Sequence, residues 1–427
     1  MRYLRFFAEN RRFLAFGLLL TFASSFGQTF FIALFGADTR ADLGLSHGEL
    51  GAIYSAATLA SGLLFLWAGA SVDRYDLRVV TVFACAGLSA AALGHAAATT
   101  IPILLISFFG LRLTGQGLLS HLAATSMARY FEGGPGGSRG RALSIASLGH
   151  PAGEAIFPAL GVAAIAALGW RQTWLAVAAA VAAVVIPLAL WLLRGHGIRH
   201  QRMLARAAQI DHEALRPSWR RRDVLRDYRL YLVLPAVLAP AFINTGVFFH
   251  QVHIVEEKGW SMGEFAAAFT VYALTSVASA LAAGGLVDRL GALRLLPAVL
   301  VPLGVGLSVM AAASHVAVAF FYMAAAGVTQ GANATVVNAV WAERYGIRYL
   351  GAIRALAQSL MVLSTALAPY TLGALIDANV SAEALFPLLL ACVVAAIAVV
   401  IPGSRLGPSA RAQSALQRAD ASGSQLS

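Results

Sequence analysis

Apolar blocks of about twenty residues or more, separated by short polar stretches, run through the whole sequence. A bilayer's hydrocarbon core, roughly 30 Å thick, is crossed by about twenty helical residues, so each block is long enough to span it. Only 12% of the 427 residues are charged, and the alternating segments typical of a membrane β-barrel do not occur in the sequence. We therefore predict an all-α, polytopic membrane protein. The predicted spans, numbered 1 to 12, are 13–36, 48–70, 79–98, 102–128, 142–168, 173–193, 230–251, 262–286, 295–313, 317–342, 355–376 and 384–401.

The net charge of +11 is distributed very unevenly between alternate loops. Of the 31 basic residues, 27 fall in the N-terminus, the loops after spans 2, 4, 6, 8 and 10, and the C-terminal tail. Arg40, Arg171 and Lys258 lie in the opposite loops, and Arg112 lies inside span 4. This pattern indicates cytoplasmic termini rather than nucleic-acid binding. We call the side of the basic segments the basic end and the opposite side the low-charge end.

The blocks also predict the organisation of the chain. Residues 1–194 form a first six-helix half, 195–229 a central cytoplasmic loop, 230–401 a second six-helix half and 402–427 a disordered cytoplasmic tail. The N-terminus has the charged head and apolar run of a signal peptide, but cleavage would remove most of span 1, so we predict an uncleaved helix. Arginine outnumbers lysine by 30 to 1, which suggests a GC-rich bacterium and its cytoplasmic (inner) membrane.

The two halves are related by an internal repeat. When the chain is shifted by 215 positions, 12 of 30 residues are identical between 45–74 and 260–289, where this composition gives about three by chance. The identical pairs include Ser46/Ser261 and Glu49/Glu264. Two parallel six-helix repeats with a binding site between them are a known transporter architecture. The repeat therefore predicts two pseudo-symmetric six-helix bundles.

Two motifs resemble those of the major facilitator superfamily. Gly69, Asp73, Arg74 and Arg78 are spaced as in the signature loop after span 2 of that family, although Asp76 stands where glycine is usual. An echo of this loop follows span 8, with Gly284, Asp288 and Arg289, and a second family motif is similar to Arg112-x-x-Gly115-x-Gly117. The resemblance implies a twelve-helix secondary transporter that works by alternating access.

Four shorter stretches resemble one branch of that family, the monocarboxylate and oxalate/formate-like transporters and their uncharacterised bacterial relatives. They are Gly27–Phe31, Arg139–Leu143, Gly169–Arg171 and Leu350–Arg354. This resemblance implies a small organic anion as substrate. No basic residue lies deep in spans 8 and 11, where oxalate transporters of the branch carry them, so oxalate itself is disfavoured.

The signature loop predicts a gate at the basic end. A helix N-terminus carries roughly half a positive charge and unpaired N–H groups. Asp73 ends span 2 on the side where span 11 begins, so we expect it to cap that helix and latch the halves together. By pseudo-symmetry, Asp288 should face the start of span 5. Arg74 and Arg289 belong to the same loops, and the alternative is that all four charges only mark cytoplasmic turns.

Arg112 and Glu154 are the only full charges well inside the predicted spans, and both come near the bilayer centre. They lie on consecutive spans of one half. One interpretation pairs them directly, either for function or to hold spans 4 and 5 together. In the other, Glu154 is protonated at rest and Arg112 is free to hold an anionic substrate, so that substrate and proton are coupled.

Several polar residues complete the predicted substrate and proton site. His150 lies one helical turn before Glu154, on the same face, and is suited to relaying a proton. Pro151 is expected to bend span 5. A lipid-facing amide would be costly, so the predicted cavity-lining residues are Gln28, Asn244, His250 and Tyr272.

Three functions remain open on sequence grounds. The first is proton-coupled transport of a small organic anion such as a monocarboxylate, as a symporter or antiporter. The second is proton-coupled efflux of amphiphilic or cationic compounds, which Glu154 and aromatic lining residues would serve. The third is a non-transporting membrane sensor on the same fold. We expect no enzyme activity, cofactor, metal or ATPase subunit, because the chain has no nucleotide motif, paired carboxylates or zinc motif. The expected partners are the substrate, protons and the lipid bilayer.

Overall fold

The computed structural model describes residues 2–68, 75–131, 138–195, 197, 221–345 and 350–405. These residues are mostly helical, and none of them lies in a strand. Twelve helical regions coincide with the twelve predicted spans, which confirms the all-α, polytopic fold. Ten of the regions are long and apolar enough to cross a membrane when the bent first helix is taken as one span. The other two lie at the positions of spans 2 and 10.

We number the helical regions α1 to α12. The first is broken into Arg2–Ala23, a 3₁₀ turn Ser24–Gly27, Thr29–Ile32, a 3₁₀ turn Ala33–Phe35, and Gly36–Leu43. The rest of the first half is α2 His47–Ala68, α3 Leu77–Ala96, α4 Ile101–Tyr130, α5 Arg139–Ser147 with Gly149–Leu168, and α6 Trp170–Leu192. The second half is α7 Tyr228–Phe249, α8 Met262–Leu290, α9 Ala292–Val299 with Val301–Ala312, α10 Ala317–Tyr345, α11 Leu350–Asp377 and α12 Ala382–Arg405. Two short helices are Arg221–Leu225 and Gln251–Glu257.

The chain forms two compact units. The first comprises Met1–Asp211, Thr245–Ala273 and Ala366–Val380, and the second comprises His212–Asn244, Leu274–Thr365 and Ser381–Ser427. The first unit therefore contains α1 to α6 together with the low-charge ends of α7, α8 and α11. The candidate site described below lies in this first unit.

Part of the internal repeat is explained by helix capping. Ser46 and Glu49 form a capping box at the start of α2, in which the Ser46 N–H donates to Glu49 Oε2 (2.8 Å) and the Glu49 N–H donates to Ser46 Oγ (3.1 Å). The equivalent pair Ser261 and Glu264 makes the same two bonds at the start of α8, each at 3.2 Å. The repeated residues thus satisfy the otherwise unpaired N–H groups at two equivalent helix starts.

Proline explains the interruption of α5. The predicted bend at Pro151 is found one turn earlier, at Leu148, between Arg139–Ser147 and Gly149–Leu168. A proline ring clashes with the carbonyl group four residues before it, which here belongs to Ser147. The helix therefore breaks at the position that the ring disturbs.

Glycine allows α8 and α10 of the second unit to pack closely. A Cβ atom on Gly331 would overlap the Ser276 carbonyl oxygen and Ser279 Oγ. The Ser279 hydroxyl also donates to the Val328 carbonyl oxygen at 2.8 Å. Small residues at such crossings let two backbones approach within the bilayer. Gly285, in contrast, has open space where its Cβ would be.

Gly331→Ala should therefore destabilise the protein, because the added methyl group forces α8 and α10 apart. Overpacking of this kind costs about 1–3 kcal/mol. The measurement is the thermal unfolding temperature of the purified protein in detergent. Gly285→Ala is the matched control and should be neutral or stabilising, since alanine favours a helix by about 1 kcal/mol over glycine. Equal unfolding temperatures for the two variants would contradict the close crossing.

Candidate functional site

The break in α1 is the centre of the candidate site. After the 3₁₀ turn Ser24–Gly27, Gln28 is extended (φ −84°, ψ 150°), and the helix restarts at Thr29. The two parts of α1 meet at 44°. A broken helix within a membrane needs its free backbone groups satisfied by neighbours or by a ligand. Discontinuous helices of this kind recur at the binding sites of transporters.

Two glycines bring α4 against this break. A Cβ on Gly27 would overlap the Leu111 carbonyl oxygen, and a Cβ on Gly115 would lie 2.7 Å from the Gly27 Cα. At this crossing α4 has a π-helical segment, Leu111–Leu119, between two ordinary α-helical parts. Such segments are rare and occur often at functional sites. The wider turn places the Arg112 side chain next to the break.

Arg112 is buried, with 5% of its surface exposed. Its Nη1 donates to the Gly27 carbonyl oxygen and to Thr29 Oγ1, both at a long 3.4 Å. Its guanidinium carbon lies 5.4 Å from the centre of the Tyr54 ring, and the Tyr54 and Thr29 hydroxyls are 2.9 Å apart. Its Nε has no hydrogen-bond partner. Within the described residues, the cation is therefore held by one ring and two weak bonds.

Arg112 has no carboxylate partner among the residues that the structure describes. The direct pair with Glu154, one of the arrangements considered from the sequence, is not formed. Glu154 is half-buried on α5 and makes no hydrogen bond or ion pair with a described residue. The physical reason is that α1 contacts both helices, with Gly27 against α4 and Ser25 against Gly153 of α5. Arg112 and Glu154 thus lie on two helices that pack against different residues of the same broken helix, α1.

His150 contacts the same turn of α1. Its Nδ1 is 3.3 Å from Ser24 Oγ, and Ser24 in turn donates to the Thr21 carbonyl oxygen at 2.6 Å. The hydroxyl of the next residue, Ser25, is buried and has no hydrogen-bond partner among the residues that the structure describes. His150, Glu154 and the Ser24–Gly27 turn are therefore neighbours, as a proton relay along α5 would require.

The structure places the other predicted residues as follows. Gln28 is half-buried at the break of α1. Tyr272 is buried against Phe248 and Phe269. Asn244, in the second unit, is 6% exposed, and neither its amide nitrogen nor its amide oxygen has a hydrogen-bond partner in the described part of the chain. His250 is buried with its Nε2 2.9 Å from the Pro369 carbonyl oxygen, as a satisfied histidine.

Two of the four predicted gate residues lie within the described part of the chain. Asp288 and Arg289 are exposed at the end of α8. Asp73 and Arg74 lie outside the described residues, so the latch between spans 2 and 11 at the basic end stays a prediction.

A helix cap of the expected kind joins the same two helices at the opposite, low-charge end. The Asp377 carboxylate, at the end of α11, accepts from Ser46 Oγ (2.7 Å), the His47 N–H (3.0 Å) and the Gly48 N–H (2.8 Å) at the start of α2. An aspartate at a helix N-terminus is favoured by the helix dipole and by the free N–H groups. Sequence reasoning missed Asp377, whose only signal was an acidic residue directly after an apolar span.

Further contacts close the low-charge end of this unit. Gln251 Nε2 donates to the Phe30 carbonyl oxygen at 2.8 Å, just beyond the break of α1. A Cβ on Gly51 of α2 would lie 2.5 Å from the Pro369 carbonyl oxygen of α11. Thr29 and Tyr54, the partners of Arg112, were also missed, because only the fold brings them to it. Within the described residues, no group of three histidine, cysteine or acidic side chains is arranged to hold a metal ion.

Comparison with known proteins adds the following findings. The family model described as Major Facilitator Superfamily matches residues 17–251 and again 236–423. No curated protein matches the sequence. Among solved structures, a bacterial homologue of the human lysosomal transporter Spinster, inward-facing and occupied, is similar with a TM-score of 0.64 and 15% identity over 92% of this chain and 95% of that one. A variant of the nucleoside transporter NupG is similar with a TM-score of 0.69 and 9% sequence identity, over 92% of this chain and 99% of that one.

Asp377→Asn should weaken the closed low-charge end, because a neutral amide is a poorer acceptor for the three donors at the start of α2. Loss of a helix cap costs about 1 kcal/mol. The measurement is the thermal unfolding temperature of the purified protein. Arg405→Gln removes an exposed charge at the end of α12, is not part of this contact, and should leave that temperature unchanged. If both variants behave like the wild type, the cap does not contribute to stability.

Proposed function

Because the chain belongs to the major facilitator superfamily, and is therefore a membrane transporter, we propose that it moves a small organic anion across the membrane together with protons. In this proposal Arg112 holds the anion and Glu154 carries the proton. The basic end faces the cytoplasm of a bacterium and the low-charge end faces outwards, as the positive-inside rule indicates.

The observation that carries the proposal is the incomplete coordination of Arg112. A buried guanidinium offers five N–H donors, and here Nη1 makes two long bonds while Nε makes none. A buried cation without an anionic partner is strongly unfavourable. A carboxylate substrate would supply both the missing charge and a planar pair of acceptors. The site is therefore better completed by an anion than by a neutral or cationic molecule.

Glu154 supports the coupling to protons. A half-buried carboxyl group near the bilayer centre, without a cation among the described residues, is least costly when it is protonated. It lies on α5 one residue after Gly153, which packs against Ser25 of the broken turn. Arg112 contacts Gly27 at the other end of that turn. A change of charge at either residue therefore acts on the same four-residue segment, Ser24–Gly27.

A second candidate, efflux of amphiphilic or cationic compounds, is favoured by aromatic side chains beside Glu154. The Phe157 ring lies one turn further along α5, with its centre 4.5 Å from those of Phe22 and Phe26 and 6.0 Å from that of Phe31. An apolar cation could bind between these rings and an ionised Glu154. Three of the rings are buried against one another, which leaves less room for a ligand.

The test is ligand-induced thermal stabilisation across small carboxylates and amphiphilic cations, followed by uptake into proteoliposomes. A ligand that binds only the folded state raises its stability by about 2.7 kcal/mol at a hundred times its Kd. We expect a carboxylate to stabilise the wild type and to bind more than about tenfold more weakly to Arg112→Gln. Arg405→Gln, which removes an exposed arginine at the end of α12, is the matched control.

The proton role has its own readout in the same experiment. Glu154→Gln should still bind the carboxylate but no longer accumulate it in response to a pH gradient. Stabilisation by cations that is kept in Arg112→Gln and lost in Glu154→Gln would establish efflux instead. Carboxylate binding that is unchanged in Arg112→Gln would refute the anion site.

A further inference from the structure

A cavity at the low-charge end of the first unit has an unusually basic lining. It contains about 270 Å³ of empty space, part of it open to solvent. Four of its ten lining residues carry a guanidinium or an imidazole, and none carries a carboxylate. The lining residues are Ala33, Gly36, Ala37, Arg40, His47, Leu50, Phe249, His250, Val252 and His253.

The three imidazole rings form a row. The centre of the His47 ring is 4.6 Å from that of His253 and 5.8 Å from that of His250. His250 uses its Nε2 to bond the Pro369 carbonyl oxygen, which leaves Nδ1 for another partner. Such a row beside Arg40 concentrates positive charge in one place as soon as one ring is protonated.

Acidic side chains surround the row but are occupied or exposed. Asp377 uses both carboxylate oxygens for Ser46, His47 and Gly48 at the start of α2. Glu257 Oε2 is 3.2 Å from His253 Nε2, and Glu256 is exposed on the same short helix. Glu256 and Asp377 act electrostatically on Arg40 from outside the cavity, but the lining itself has only basic and apolar side chains.

The pKa of His47 reflects its burial and the nearby positive charges. Burial, followed by the charges of Arg40 and His253, lowers the pKa of His47 to about 4, although Asp377 acts in the opposite direction. A lowered pKa means that the neutral ring is favoured in the folded state. The contribution of His47 to folding is thus complete above about pH 6.5 and is lost as the pH falls towards 4. An anion in the cavity would favour the protonated ring and so act against this lowering of the pKa.

We propose that this cavity is a binding site for a small monovalent anion, either a halide or a carboxylate of about the size of acetate, held by Arg40, His47 and His253. The site is separate from the Arg112 site and does not depend on its role. It is built from residues 33–50 and 249–253, so it exists only when these segments are together. A bound anion consequently stabilises the closed low-charge end.

The side chains of the cavity also determine how anion binding depends on pH. Protonation of His47 adds positive charge next to Arg40, His250 and His253, with the carboxylates of Asp377, Glu256 and Glu257 beyond the wall. An anion therefore binds more tightly to the protonated row, and its binding in turn favours protonation. Because the pKa of His47 in the folded protein is about 4 and a bound anion raises it, the affinity should increase as the pH is lowered from about 7 towards about 5.

The experiment is thermal unfolding of the purified full-length protein in gluconate buffer, with chloride and acetate titrated separately at about pH 5 and about pH 7. We expect a saturable rise of about 1–3 °C, with an apparent Kd at least about threefold lower at the acid pH. Stabilisation by chloride alone would identify an inorganic ion, and stabilisation by acetate alone a carboxylate. No saturable rise with either anion at either pH would overturn the proposal.

Variants show which residues bind the anion. Arg40→Gln should abolish the saturable rise in the unfolding temperature, and Arg40→Lys should restore part of it. His253→Gln serves as a second variant if Arg40→Gln does not fold. Arg112→Gln should keep the rise, which separates this site from the proposed substrate site. A rise that is kept in Arg40→Gln and His253→Gln but lost in Arg112→Gln would overturn this inference while supporting the proposed function.

Discussion

The close contact between the backbones of Gly27 and Gly115 is the constraint on which the candidate site depends. No side chain fits between α1 and α4 at this point, since a Cβ on Gly115 would lie 2.7 Å from the Gly27 Cα. In lipid the hydrophobic effect does not drive helices together, so helices associate through close van der Waals packing, which small residues at the crossing allow. The contact lies directly before the extended Gln28 and within the π-helical segment of α4. It thereby brings the Arg112 guanidinium to the break of α1.

The bonds of Arg112 differ from those of two other arginines with buried or partly buried side chains, Arg344 and Arg171. Arg344 of the second unit donates to the Gly403 carbonyl oxygen at 2.7 Å, and Arg171 donates to the Ala96 carbonyl oxygen at 2.7 Å and contacts Asp42. These short bonds are those of structural arginines that fix helix ends. Arg112 is more deeply buried than either, but its two bonds are 3.4 Å long and its Nε has no partner among the described residues. This incomplete coordination is the basis for the proposal that an anionic substrate binds to Arg112.

Sequence reasoning was sufficient for the helices because apolar length is a property of each segment alone. It also identified Arg112 and Glu154 as the deep charges, since charge inside a span is visible without a fold. It could not decide between pairing and separation, because that depends on α1 lying against both α4 and α5. Asp377, Thr29 and Tyr54 were missed for a similar reason: each acquires its role from a residue on another helix. The branch resemblance implied an anion, which stays a prediction.

The central claim is that Arg112 is completed by an anionic substrate, and the most direct measurement is an experimental structure with the carboxylate that stabilises the protein most strongly. The account predicts carboxylate density within hydrogen-bond distance, about 2.7–3.2 Å, of Arg112 Nε and one terminal nitrogen. Weaker contacts to Gly27 and Thr29 should lengthen or break at the same time. Density bound elsewhere, with Arg112 keeping its present contacts or paired with Glu154, would contradict the account.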